Sequence, residues 1–81
     1  MEHPQEYEAE AVGRRIRSGL ADLGMTSEEL ADRIGVSRFT VSSWLSGKTR
    51  MKLADAVKVC DVFGWPLDRL VRREGATRAE A

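Results

Sequence analysis

The chain has 81 residues, and its 13 Lys and Arg balance 13 Asp and Glu, so the formal charge is zero. That length makes one small domain that buries about 60% of the surface its unfolded form exposes, which excludes a dinucleotide-binding enzyme fold, a barrel or a two-domain machine. At 42% hydrophobic and 32% charged the composition is globular, no apolar run approaches the roughly 18 residues of a membrane span, and the lone Cys60 cannot form an internal disulfide, which fits the cytoplasm.

In chain order, residues 1–10 hold Glu2, Glu6, Glu8 and Glu10 and no Lys or Arg. Residues 1–6 read as an acidic flexible leader, the opposite of a signal peptide. Residues 11–81 then carry 13 basic against 9 acidic side chains. The first predicted helix runs from Tyr7 to Leu23, with Val12, Ile16, Leu20 and Leu23 on one stripe. Gly13 and Gly19 weaken it by roughly 1 kcal/mol each relative to Ala, and Gly24 ends it.

Thr26 or Ser27 caps a second helix, with Glu28 and Glu29 in its positive first turn and Leu30, Ala31 and Ile34 on its apolar face. Gly35 stops it. Ser37 then caps a third helix over residues 38–46, ended by Gly47. A fourth spans Met51 to Phe63, where Leu53, Ala56, Val57, Cys60 and Phe63 form the predicted buried stripe. Pro66 opens a fifth, with Leu67, Leu70 and Val71 on a common face. The pattern is all-α, a compact five-helix bundle over residues 7–73, followed by a frayed tail over residues 74–81.

The second and third helices, separated by a tight Gly35-Val36 break, make a helix-turn-helix, whose second member enters the DNA major groove. The spacing alone is weak, because any small bundle contains such pairs. The third helix adds composition. Val41, Trp44 and Leu45 face the core, while Arg38, Phe39, Ser42, Ser43 and Ser46 lie opposite. No acidic residue stands between Asp32 and Asp55, although Arg33, Arg38, Lys48, Arg50 and Lys52 all do. Attraction to phosphate is local and decays over about 10 Å, so the zero total does not oppose it. A solvated basic face is the plain alternative.

The segments LGMTSEELADRIGVSRFTVSSWLSGKTR (residues 23–50) and VFGWPLDRL (residues 62–70) resemble the Cro and cI-type (XRE) helix-turn-helix family. The resemblance covers about Val12 to Leu70. It implies a lambda-repressor-like fold, a homodimer and double-stranded operator DNA as partner. Carried over by position, it implies base reading by Arg38, Phe39, Ser42 and Ser43, and phosphate binding by Ser27, Ser37, Ser46, Lys48 and Arg50. Arg38 suits guanine O6 and N7, or else an ion pair with Glu28 or Glu29; Phe39 suits thymine methyls, or else a lid over the second helix. The dimer surface is expected on the fifth helix and its approach, from Trp65, Leu67, Leu70 and Val71. There are three departures from the family, one of them a pair: Ser27 stands where Gln is common and Met51 where Pro is. Leu20 and Leu45 replace an Arg–Glu pair, which predicts that those two leucines touch.

Rival chemistries fail on spacing. Gly47-Lys48-Thr49 echoes a phosphate loop, yet Ser42 occupies the place of the required first glycine. Cys60 lies on an apolar stripe without zinc-ligand companions, and His3 is in the acidic leader. Glu28, Glu29 and Asp32 read as a solvated helix face. No nucleophile and base pair up, so the expectation is a binding protein without cofactor, metal or small-molecule ligand, acting in the cytoplasm and away from membranes. The competing reading is a protein-interaction module, such as an antitoxin or a polymerase-contacting controller.

Overall fold

Four chain breaks set the architecture, and each has a local cause. In the computed structural model, which describes residues 8–72, they separate α1 (Ala9–Leu23), α2 (Ser27–Ile34), α3 (Arg38–Leu45), α4 (Leu53–Phe63) and α5 (Leu67–Val71). No strand occurs among the described residues. The leader at residues 1–6, Tyr7 and the tail at residues 74–81 lie outside the described residues.

Thr26 caps α2 through a reciprocal box: its hydroxyl accepts from the Glu29 amide at 3.1 Å, and its own amide donates to the Glu29 carboxylate at 2.9 Å. Such a cap contributes about 1 kcal/mol. Gly35 ends α2 in the left-handed region at φ 78°, a conformation costly for any residue with a Cβ. Ser37 caps α3, accepting from the Thr40 amide at 3.1 Å.

α1 packs on α3 and α5, α2 on α3 and α4, and α4 on α5. Ile16, Leu30, Val41, Val59 and Leu70 are the largest fully buried side chains, and Trp44 is 3% exposed. Complete burial of each aliphatic contributes about 1.5–3 kcal/mol before the entropy of ordering is subtracted. Leu20 belongs to this cluster and Leu45 packs against it. Arg15 ties α1 to α5, donating through Nη1 to the carbonyls of Leu70 (2.8 Å) and Arg72 (2.6 Å). Those C-terminal carbonyls lack helical partners of their own.

Several details differ from the sequence pattern. α3 ends at Leu45, with Ser46 as its cap, and α4 begins at Leu53 rather than Met51. Met51 is buried all the same, as a non-helical core residue. The buried line of α4 is Ala56, Val59 and Cys60, whereas Leu53 is 63% and Val57 42% exposed. Val57 lies about 100° round the helix from Ala56, off the arc that meets its neighbours. Leu23, in the last turn of α1, is exposed and stands outside the buried stripe of that helix.

The two glycines inside α1 have packing roles. A Cβ on Gly13 would stand 2.6 Å from the Trp44 carbonyl oxygen and 2.7 Å from that of Leu45. A Cβ on Gly19 would stand 2.6 Å from the Phe63 ring. The missing side chains admit the end of α3 and the aromatic edge of α4.

Candidate nucleic-acid interface

α3 is fastened from behind. Val41 and Trp44 are buried on the side that meets α1 and α2, the end of the helix rests on Gly13, and Arg17 Nη2 donates to the Leu45 carbonyl at 3.3 Å. The opposite face is left to solvent: Arg38, Phe39, Ser42 and Ser46 are exposed and Ser43 is half-buried. The expected base-reading set therefore shares one surface.

Phe39 is 74% exposed, so it forms no lid over α2. Its ring lies 5.9 Å from the Arg38 guanidinium carbon. Arg38 pairs with Glu28, Nη1 to Oε2 at 3.0 Å, with both side chains largely exposed. Glu29 is engaged in the α2 cap instead. An exposed pair of this kind is worth about 0–1 kcal/mol and yields readily to a better partner.

The expected phosphate-binding residues border this face at two places. One is the pair of capped N-termini: Ser27 opens α2 half-buried, and Ser37 precedes α3 exposed. First-turn amides there lack intrahelical acceptors and favour anions. Ser37 Oγ is itself occupied by the Thr40 amide and lies 3.1 Å from Thr40 Oγ1. The other place is the turn after α3, folded over the helix end. The Ser43 carbonyl accepts from the Lys48 amide at 3.0 Å and from Ser46 Oγ at 3.2 Å. Gly47 sits there at φ 76°, and a Cβ would meet Glu10 Cγ at 2.8 Å. That turn holds Lys48 and Arg50 at the surface.

Between α3 and the start of α4 runs an open groove of about 490 Å³, lined by Val36, Phe39, Thr40, Ser43, Trp44, Thr49, Arg50, Lys52 and Asp55. Thr40, Thr49 and Lys52 are absent from the site that the sequence predicts. A signal for Lys52 is present there, since it belongs to the acid-free stretch and stands as a cation at the positive end of α4, where the helix dipole opposes it. Thr40 carries no such mark; only the fold brings it to the groove.

The surface expected around α5 changes more. Leu70 is completely buried and is a core residue, unavailable to a second chain. Trp65 is half-buried, its ring 4.9 Å from that of Phe63 and covered by the Arg69 guanidinium at 4.0 Å. Leu67 and Val71 remain, half-buried. Cys60 is buried, and desolvation, with Asp61 adding to it, pushes its thiol pKa up, which disfavours the reactive thiolate. Among the described residues no group of three His, Cys, Asp or Glu could hold a metal ion, and no helix is long and apolar enough to cross a membrane.

Residues 16–70 match the helix-turn-helix family. An uncharacterized HTH-type transcriptional regulator of Archaeoglobus fulgidus is 41% identical over 56 residues, covering 69% of this chain and 80% of that protein. Among solved structures, the clp gene regulator ClgR of C. glutamicum is similar with a TM-score of 0.72 at 30% identity, over 78% of this chain and 81% of that one. The P22 c2 repressor, solved with a synthetic operator, is similar with a TM-score of 0.71 at 23% identity, over 75% and 92% of the two chains. The second likeness is one of fold.

Proposed function

The chain belongs to the Cro and cI-type helix-turn-helix family, and on that premise we propose that it is a transcriptional regulator that lays α3 in the major groove of operator DNA. The observation that carries this reading is the division of α3: one side is clamped to the core, and the other offers Arg38, Phe39, Ser42 and Ser43 to solvent without an acidic residue. Arg38 reads guanine through two parallel donors, and Phe39 packs on a thymine methyl. The serines are short enough to let the backbone approach base edges. Ser27, Ser37, Ser46, Lys48 and Arg50 face phosphates and fix the register of the helix.

Two copies bind an inverted repeat, with their α3 helices in successive major grooves about 34 Å apart. Their contact draws on Leu67 and Val71. The P22 c2 repressor in its operator complex supports the mode of binding by likeness of fold. The protein acts in the cytoplasm, by binding rather than by catalysis. An antitoxin-like or polymerase-contacting role in which DNA is secondary has less support, because the family match and the acid-free outer face of α3 both favour DNA.

Selection from random duplexes, followed by titration of the enriched site across salt, tests the proposal. The expected result is an inverted repeat with half-sites one helical turn apart. Log affinity should fall linearly with log salt by about 0.9 for each phosphate neutralised. Enrichment of no sequence overturns it.

A further inference from the structure

Arg38 is held by one ion pair and flanked by an aromatic ring. Glu28 accepts from its Nη1 at 3.0 Å, reaching across from the first turn of α2, and the Phe39 ring lies 5.9 Å from its guanidinium carbon. The adjacent carboxylate is engaged elsewhere, since Glu29 accepts from the Thr26 amide at 2.9 Å. The two neighbouring acids thus divide, one closing the cap and the other facing the recognition helix.

A guanidinium has five N–H donors in a fixed fork, and the Glu28 bond uses one of them. The Nε–Nη2 edge keeps the two parallel donors that match guanine N7 and O6. We propose that Glu28 is a positioning and specificity-determining residue, holding Arg38 for a base while cancelling its charge toward bare phosphate. This inference rests on the reading of α3 as the DNA-facing helix.

Magnitudes decide between the two uses of Arg38. An exposed ion pair shifts an equilibrium by at most about fivefold, so it holds the side chain without locking it. A phosphate elsewhere on DNA offers Arg38 a second carboxylate-like partner and gains little over the first. A guanine edge discriminates by about five- to 150-fold and needs no break in the Glu28 bond. Glu28 therefore weakens non-specific contact and spares the specific one.

The test compares wild type with Glu28→Gln and Glu28→Ala on the selected operator and on an unrelated duplex across salt, with Arg38→Ala as reference. Glu28→Gln keeps an oxygen acceptor for Nη1 but loses the charge; Glu28→Ala loses both. Both should bind the unrelated duplex about two- to fivefold more tightly near 0.1 M salt, with the salt slope steeper by about 0.9 for each protomer bound. Glu28→Ala should in addition lose up to about fivefold of the guanine preference that Arg38→Ala abolishes, and Glu28→Gln should retain it. A merely structural pair would move the melting temperature and leave slope and base preference alone, and that result overturns the proposal. So does an operator whose base preferences survive Arg38→Ala. If wild type binds all duplexes alike, the DNA reading of α3 has failed; if wild type selects a site and the Glu28 variants behave like it, the role of Glu28 alone has failed.

Discussion

The two faces of α3 belong to the same eight residues and are held by opposite means. On the inner face, Val41 and Trp44 are buried, and backbone carbonyls of Trp44 and Leu45 press against the bare Cα of Gly13. On the outer face, Phe39 is 74% exposed and Arg38 is kept by a single ion pair of 3.0 Å. Close packing cannot yield by a fraction of an ångström without cost, whereas an exposed pair is exchanged for a fraction of a kcal/mol. The helix axis is therefore fixed while its outer side chains stay adaptable. The proposed reading of DNA by α3 needs both, because the axis sets the register and the side chains must meet base edges.

Substitutions on each face can break or sharpen this contrast. The largest expected effect is on the inner face. Trp44→Ala should cost about 3–5 kcal/mol, a large part of a small domain's total stability, and thermal denaturation should show a much lower or missing transition. A midpoint close to wild type would mean that the indole does not anchor α3. On the outer face, Arg38→Glu sets a second carboxylate against Glu28 and removes the proposed base donors. Operator affinity in a salt-controlled titration should fall by about a hundredfold or more. Its melting temperature and oligomeric state should stay near wild type, since surface changes rarely exceed about 0.5 kcal/mol. If stability fell with affinity, the faces would not be separable.

The smallest of the three lies on α1, under the end of α3. Gly13→Ala gains about 1 kcal/mol of helix propensity, yet its methyl meets two backbone oxygens that cannot swing aside. A net loss of about 1–3 kcal/mol is expected, read as a melting temperature lower by about 4–8 °C for each kcal/mol. Operator affinity measured well below that midpoint should fall too, because a displaced helix end re-aims the outer face. Unchanged stability would show that the close approach of α1 and α3 is not what sets the axis.

Much of the fold is legible in the sequence, and the legible part has a common character. Gly24 and Gly35 end helices as expected, Thr26, one of two candidate caps, and Ser37 start them, and the polar outer face of α3 follows from its own spacing. The departures concern neighbours distant in the chain. Spacing puts Leu53 and Val57 in the α4 stripe and omits Val59, because apolar residues occupy more of that helix than its partners cover. Spacing also offers Leu70 to a dimer surface, yet α1 and α4 packed on α5 make it core. Gly13 and Gly19 are mere weaknesses in a lone helix; the carbonyls of α3 and the Phe63 ring standing over them make them necessary.

The net charge of zero belongs to the same division. Sequence alone determined that acidic residues gather in residues 1–10 and that none lies between Asp32 and Asp55. Caps, turns and charge runs are decided within about four residues, so the chain carries them wherever it folds. Tertiary structure decided which acid meets Arg38. Glu29 is committed locally, three residues after its Thr26 cap, whereas the meeting of Glu28 with Arg38 depends on how α2 and α3 cross. That crossing is a matter of packing among helices, which no local spacing contains.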